Sequence, residues 1–102
     1  MLKIAPSPTF VASVAIPVPG GEQQLVNFTF NHMGKAALKA WIEAARDRED
    51  IDSIASIVCG WDGIDAEFSM QNLAALLDAY PSAAVAVLEA YVGELGKAAA
   101  KN

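Results

Sequence analysis

The sequence holds one cysteine, one histidine and seven Lys plus Arg among 102 residues, and each scarcity excludes something. A single cysteine, Cys59, cannot close an internal disulfide, so a reducing compartment is expected. Seven basic residues against twelve acidic ones leave a net charge of −5. That is the wrong sign for neutralising phosphates, so nucleic acid is not an expected partner. No apolar run approaches the ~18 residues of a membrane-spanning helix, so no membrane partner is expected either. The opening stretch Met1 to Pro8 is too short and too proline-rich to read as a signal peptide. His32 has no Ser or Cys at a spacing that would make it the base of a nucleophile pair. Gly20-Gly21 is not followed by Lys-Ser or Lys-Thr, so it reads as a turn and not as a phosphate loop. Asp62, Asp65 and Glu67 are the only concentrated carboxylates outside helical patterns. They lack the alternating acidic positions and distal Glu of a calcium loop, and read as a solvated turn beside a helix start. No catalytic residue, cofactor or metal ligand is assigned, and the chain reads as non-enzymatic.

What is present suits one domain over residues 1–102. The composition is 54% hydrophobic, which is far from a disordered acidic chain. Much of that share is alanine, which favours close helix packing over a large apolar core. Residues 1–8 form a loose lead-in, with Pro6 and Pro8 favouring extended backbone. From Thr9 the pattern has period two. Phe10, Ala12, Val14, Ile16 and Val18 share one face, and Pro17 marks the end of an edge strand. Pro19-Gly20-Gly21 turns the chain, and Val26, Phe28 and Phe30 alternate with Asn27 and Thr29. Together these segments predict a β-hairpin, which needs a further partner to be stable in water. His32 reads as a surface residue at the hairpin exit.

Helical periodicity follows. Leu38, Trp41, Ile42 and Ala45 form one stripe between Gly34 and Arg48. Asp47 or Asp50 starts a second helix, with Ile51, Ile54 and Val58 as its buried stripe. Gly60 reads as that helix's C-terminal cap, and Cys59 as a small buried hydrophobe at its end. Asp62-Gly63 is a turn dipeptide. Trp61, Ile64 and Phe68 crowd a short loop that must fold onto the core. Ser69 reads as the N-cap of a third helix carrying Leu73, Leu76, Leu77 and Tyr80. Pro81 fits the first turn of a fourth helix, with Ala84, Leu88, Tyr91, Val92 and Leu95 as its stripe. Residues 97–102 are expected to fray. The expected fold is α+β: an N-terminal β-hairpin packed against about four helices. Trp41 and Trp61 are expected as core anchors.

These residues, taken together, resemble a family. The strand ending Phe28-Thr29-Phe30, Trp41 in the first helix, and Gly60-Trp61-Asp62-Gly63-Ile64-Asp65 followed by Phe68-Ser69 carry the resemblance. The Asn72 to Leu77 helix, Tyr80-Pro81 and the closing Lys101-Asn102 extend it. The chain resembles the short tail assembly chaperones of long-tailed phages and prophages. The resemblance marks Trp41, Gly60, Trp61, Asp62, Gly63, Asp65, Phe68, Ser69 and Pro81 as motif or structural positions, and assigns no client-binding residue.

The resemblance implies a chaperone that coats and solubilises the helical tape-measure protein and is displaced as the tail tube polymerises. It implies the host bacterial cytoplasm as the place of action and absence from the mature virion. It also implies that a longer frameshifted form can recruit the tube protein. The alternative is a permanent structural or adaptor protein of the tail or neck. A third reading is an enzyme that uses the Asp62, Asp65 and Glu67 turn with a metal. Weak self-association is expected through hairpin edges, near Thr9 to Val18 or Leu25 to Phe30.

Overall fold

A computed structural model describes residues 1–96. The expected fray of residues 97–102 lies outside the described residues. The elements run β1 (Thr9–Ile16), β2 (Gln24–Asn31), α1 (Lys35–Ala45), α2 (Asp50–Ile57), β3 (Val58–Asp62), α3 (Met70–Ala79) and α4 (Ala83–Leu95). The class is α+β, as the run of strands followed by helices predicts.

The hairpin forms as the period-two pattern requires. β1 and β2 pair antiparallel, from Thr9 opposite Asn31 to Ile16 opposite Gln24. Gly20 at φ +77° turns the chain between them, a conformation that costs glycine little. The register sets Phe10 beside Phe30, Ala12 beside Phe28 and Val14 beside Val26 on one face. Val14, Ile16, Val26, Phe28 and Phe30 are buried there. Val11, Ser13, Ala15, Leu25, Asn27 and Thr29 share the other face, where the Ser13 hydroxyl donates to Asn27 Oδ1 at 2.6 Å.

The hairpin's missing partner is a third strand, and here the sequence reading needs correction. Val58 to Asp62 is not a helix end but β3, antiparallel to β2 in the order β1-β2-β3. Gly60 does not cap a helix; it lies opposite Thr29 in the sheet, and α2 ends at Ile57 with Val58 as its C-cap. Val58 is buried, but as a strand residue opposite Phe30. A short apolar run has no period long enough to separate helix from strand. What decides is the open edge of β2, whose backbone groups need pairing. The register shifts between Thr29 and Phe30, which leaves Cys59 as an extra residue at a bulge. Cys59 is therefore exposed, not buried, with its thiol 3.5 Å from the Thr29 carbonyl. The third strand also makes β2 central, so within Leu25 to Phe30 the stretch Asn27 to Phe30 is paired on both sides and offers no free edge for self-association.

The helices cover the inner face. α2 starts at Asp50, with Asp50 and Asp52 in its first turn, and buries Ser53, Ile54 and Ile57. α1 buries only Trp41; Ile42 is exposed, contrary to the stripe expected for it. α3 and α4 meet at 112°. Pro81 lies in the turn between them and not in the first helical turn; the Ala83 N–H donates to the Tyr80 carbonyl at 2.9 Å. The buried face of α4 is Ala83, Val87 and Tyr91, with Val92 exposed. That face is rotated from the expected stripe. α4 is apolar nearly all round, so its pattern does not select a face. Its neighbours do. Tyr91 is stacked on Phe10 at 6.0 Å, tilted against Phe30 at 5.2 Å and edge-on to Trp41 at 5.5 Å. Its hydroxyl donates to the Asn31 carbonyl at 2.7 Å, which satisfies the one polar atom that burial strands there. Among the described residues no single helix is long and apolar enough to cross a membrane.

Candidate functional site

The stretch that carries most of the motif residues, Gly60 to Ser69, closes one end of the molecule. Trp61 lies opposite Phe28 in β3, which turns its ring to the inner face beside the edge of Phe28, 6.2 Å away. Its indole N–H donates to the Ala66 carbonyl at 2.8 Å. Phe68 meets the same ring edge-on at 5.2 Å. Trp61, Ile64 and Phe68 are thus half-buried against the core, as a loop with three large apolar side chains must be.

Gly63 sets the direction of this loop. Its φ is +101°, in the region where a side chain clashes with its own backbone. A Cβ there would also stand 3.3 Å from the Leu25 carbonyl. The far end of the loop is held by α3. The Asn72 backbone N–H donates to Ser69 Oγ at 3.0 Å, so Ser69 is the N-cap. The Asn72 side chain donates to the Glu67 carbonyl at 2.8 Å. The sequence reading missed that second role of Asn72. An amide side chain in the first turn of a capped helix, three residues past the cap, is the signal that could have shown it.

Between this loop, the turn end of the hairpin and α3 lies an open groove of about 560 Å³. Ile16, Val18, Val26, Trp61, Ile64, Ala75 and Leu76 line it together with Gln24, Asn72 and Tyr80, and among the described residues Asp65 is its only charged lining residue. Sequence reading had no route to this set, because its members come from five separated segments. Of the motif residues, Trp61, Gly63 and Asp65 line the groove. Gly60, Asp62, Phe68 and Ser69 lie in the strand and loop around it. Pro81 and Trp41 do not line it. Trp41 is buried under α1, its indole N–H donating to Ser56 Oγ at 2.9 Å.

The groove combines apolar side chains with Gln24, Asn72, Tyr80 and the acid Asp65, so it can hold a segment that is apolar in part and polar in part. Asp62, Asp65 and Glu67 are all exposed. Among the described residues no three His, Cys, Asp or Glu side chains stand together as metal ligands would. His32 is exposed at the end of the hairpin, its backbone N–H donating to the Pro8 carbonyl at 2.9 Å.

No curated protein and no solved structure matches this chain. A protein-family model described as phage tail assembly chaperone matches residues 1–102. The match covers the strand, loop and helix segments whose geometry is given above, from the hairpin to the end of α4. The chain belongs to the phage tail assembly chaperone family.

Proposed function

We propose that this protein is the short form of a tail assembly chaperone that coats the tape-measure protein and is displaced as the tail tube polymerises. The observation that carries this reading is the family match over the whole chain. Its role is non-enzymatic. It acts in the host bacterial cytoplasm and is left out of the mature virion. A longer frameshifted form brings the tube protein as a further partner.

The physical chemistry of the domain supports such work. A small folded unit offers a limited contact area, so each copy holds its client weakly. Many copies along one long repetitive client give avidity without tight single contacts. Weak single contacts also permit stripping, because release is set by the dissociation rate. A charge of −5 per copy gives the coated client a like-charged surface that resists clumping.

The test is co-production of the tape-measure protein with and without this chain. The expected result is a tape-measure protein that stays in the supernatant, bound to many copies, only when the chain is present. Purified virions should then contain the tape-measure protein and lack this one. A fixed copy number in virions would instead establish the structural or adaptor role and overturn the proposal.

A further inference from the structure

We propose that the outer face of α1 is a docking surface for an acidic amphipathic helix of a partner protein. The first observation is where the charge lies. Residues 35–48 hold four of the seven basic side chains, Lys35, Lys39, Arg46 and Arg48, and only two of the twelve acidic ones. That segment has a formal charge of +2 and the rest of the chain −7. Charge separated in this way steers an acidic partner to one face and repels it from the others.

The second observation is how α1 is mounted. Trp41 is its one buried residue, and the Arg48 guanidinium folds back over the Trp41 ring, so Arg48 is committed to the domain. The side of α1 away from Trp41 is free. Steps of four, three and four residues lead from Lys35 to Lys39, Ile42 and Arg46, and at 3.6 residues per turn these four share an arc of about 60°. All four are exposed. Among the described residues no carboxylate forms a salt bridge with Lys35, Lys39 or Arg46. The result is one straight stripe of three uncommitted cations around an exposed isoleucine.

The shape and chemistry of the stripe select its occupant. From Lys35 to Arg46 it runs about 16 Å along the helix axis. A second helix laid beside it repeats its side chains at the same spacing, so carboxylates can meet the three cations while an apolar side chain covers Ile42. Ala36 and Ala40, exposed beside the stripe, let the two axes come close. A membrane surface is a poorer match, because an interfacial helix needs a broad apolar face outward. Here Trp41 faces inward and Ile42 is the one large apolar side chain that α1 exposes. Nucleic acid is a poorer match too, since the −7 remainder of the chain repels phosphates. The inference goes beyond the coat reading, and its test needs neither the tape-measure protein nor virions.

Fluorescence anisotropy of a labelled synthetic peptide, titrated with the full chain, tests the inference. The probe is a helix of about three heptads with a Leu seam flanked by Glu, and its counterpart carries Lys in place of every Glu. Wild type should bind the Glu peptide and not the Lys peptide. Raising the salt from about 0.05 M to about 0.5 M should weaken binding roughly tenfold, because exposed charges are screened. Lys35→Glu with Lys39→Glu should reverse the preference, losing the Glu peptide and gaining the Lys peptide. Ile42→Ser leaves the charge unchanged and should weaken binding about tenfold through the lost apolar cover. If the charge-reversed chain fails to fold, Lys39→Gln with Arg46→Gln serves instead and should weaken the Glu peptide about fivefold. A wild-type chain that ignores the Glu peptide, or an Ile42→Ser chain that binds it as tightly as wild type, would overturn the inference. So would tighter binding of an RNA oligonucleotide or of phosphatidylserine vesicles, which would give the stripe to another class of partner. Self-association of the chain alone that disappears on charge reversal would give it to a second copy, and overturns the inference equally.

Discussion

The two tryptophans hold the molecule in different ways. Trp41 is the only buried residue of α1, and its indole N–H reaches across to Ser56 on α2. Ser56 in turn donates to the Ser53 carbonyl at 2.6 Å. Arg48 donates to the Trp41 carbonyl at 2.9 Å and sets its guanidinium 5.7 Å from the centre of the ring, which adds a cation–π attraction. This is a tertiary joint: it fixes one helix to another. Trp61 is only half-buried, and its N–H closes on Ala66, five residues away. That is a local joint, which folds a loop on itself and shapes the groove. A side chain of the same type can thus serve stability at one place and the shape of a surface at another. The difference lies in how far along the chain its partner stands.

The largest expected effect tests the tertiary joint. Trp41→Ala should cost about 3–5 kcal/mol, the usual loss for a buried aromatic cut back to a methyl. Denaturant unfolding would measure it, and hydrogen exchange should show α1 opening before the sheet. A loss under ~1 kcal/mol, which is the range of surface changes, would show that α1 is held by something else. Trp61→Ala should cost less, about 1.5–3 kcal/mol, because the ring is only half-buried. Its signature should be local: faster exchange in residues 63–69 with β1 and β2 still protected. Uniform loss of protection would mean that the loop is part of the core and would erase the contrast.

Gly63→Val should cost about 1–3 kcal/mol through its positive φ, with the Leu25 carbonyl adding a steric penalty. An unchanged melting temperature would remove the claim that Gly63 constrains the loop. The smallest effect near neutral pH belongs to Tyr91, which packs against Trp41. Burial pushes its phenol above the usual 10.0. The folded state therefore keeps its proton where the unfolded state has lost it. The resulting stability is fully present below pH 10 and is lost as pH rises through the folded value. Melting followed upward from pH 9 should fall more steeply for wild type than for Tyr91→Phe. Parallel curves would show that the phenol is not coupled to folding.

Much of this architecture is legible in residue order. The alternation from Phe10 to Ile16 and from Val26 to Phe30 names both the hairpin and its buried face, because only one register hides those side chains together. Ser69 before an apolar helical run marks a cap, and Asp62-Gly63 marks a turn, because each depends on the backbone within a few residues. The family motif also lies in residue order, and its loop residues supply part of the groove.

Other features were settled only by the partners that the fold brings close. Val58 to Asp62 became a strand because β2 had an open edge to pair, and that pairing placed Cys59 at a bulge facing solvent. The buried face of α4 was chosen by the aromatic rings around Tyr91, since an apolar helix of Ala, Val and Leu offers several faces of similar hydrophobicity. The groove exists only where the hairpin's turn end, the Trp61 loop and α3 converge. Local sequence determined the conformations whose energies are local: alternation, caps and turns. The tertiary structure decided whatever depends on contacts between segments far apart in the chain, because the free energy of burial and of sheet pairing belongs to both partners and is written in neither one alone.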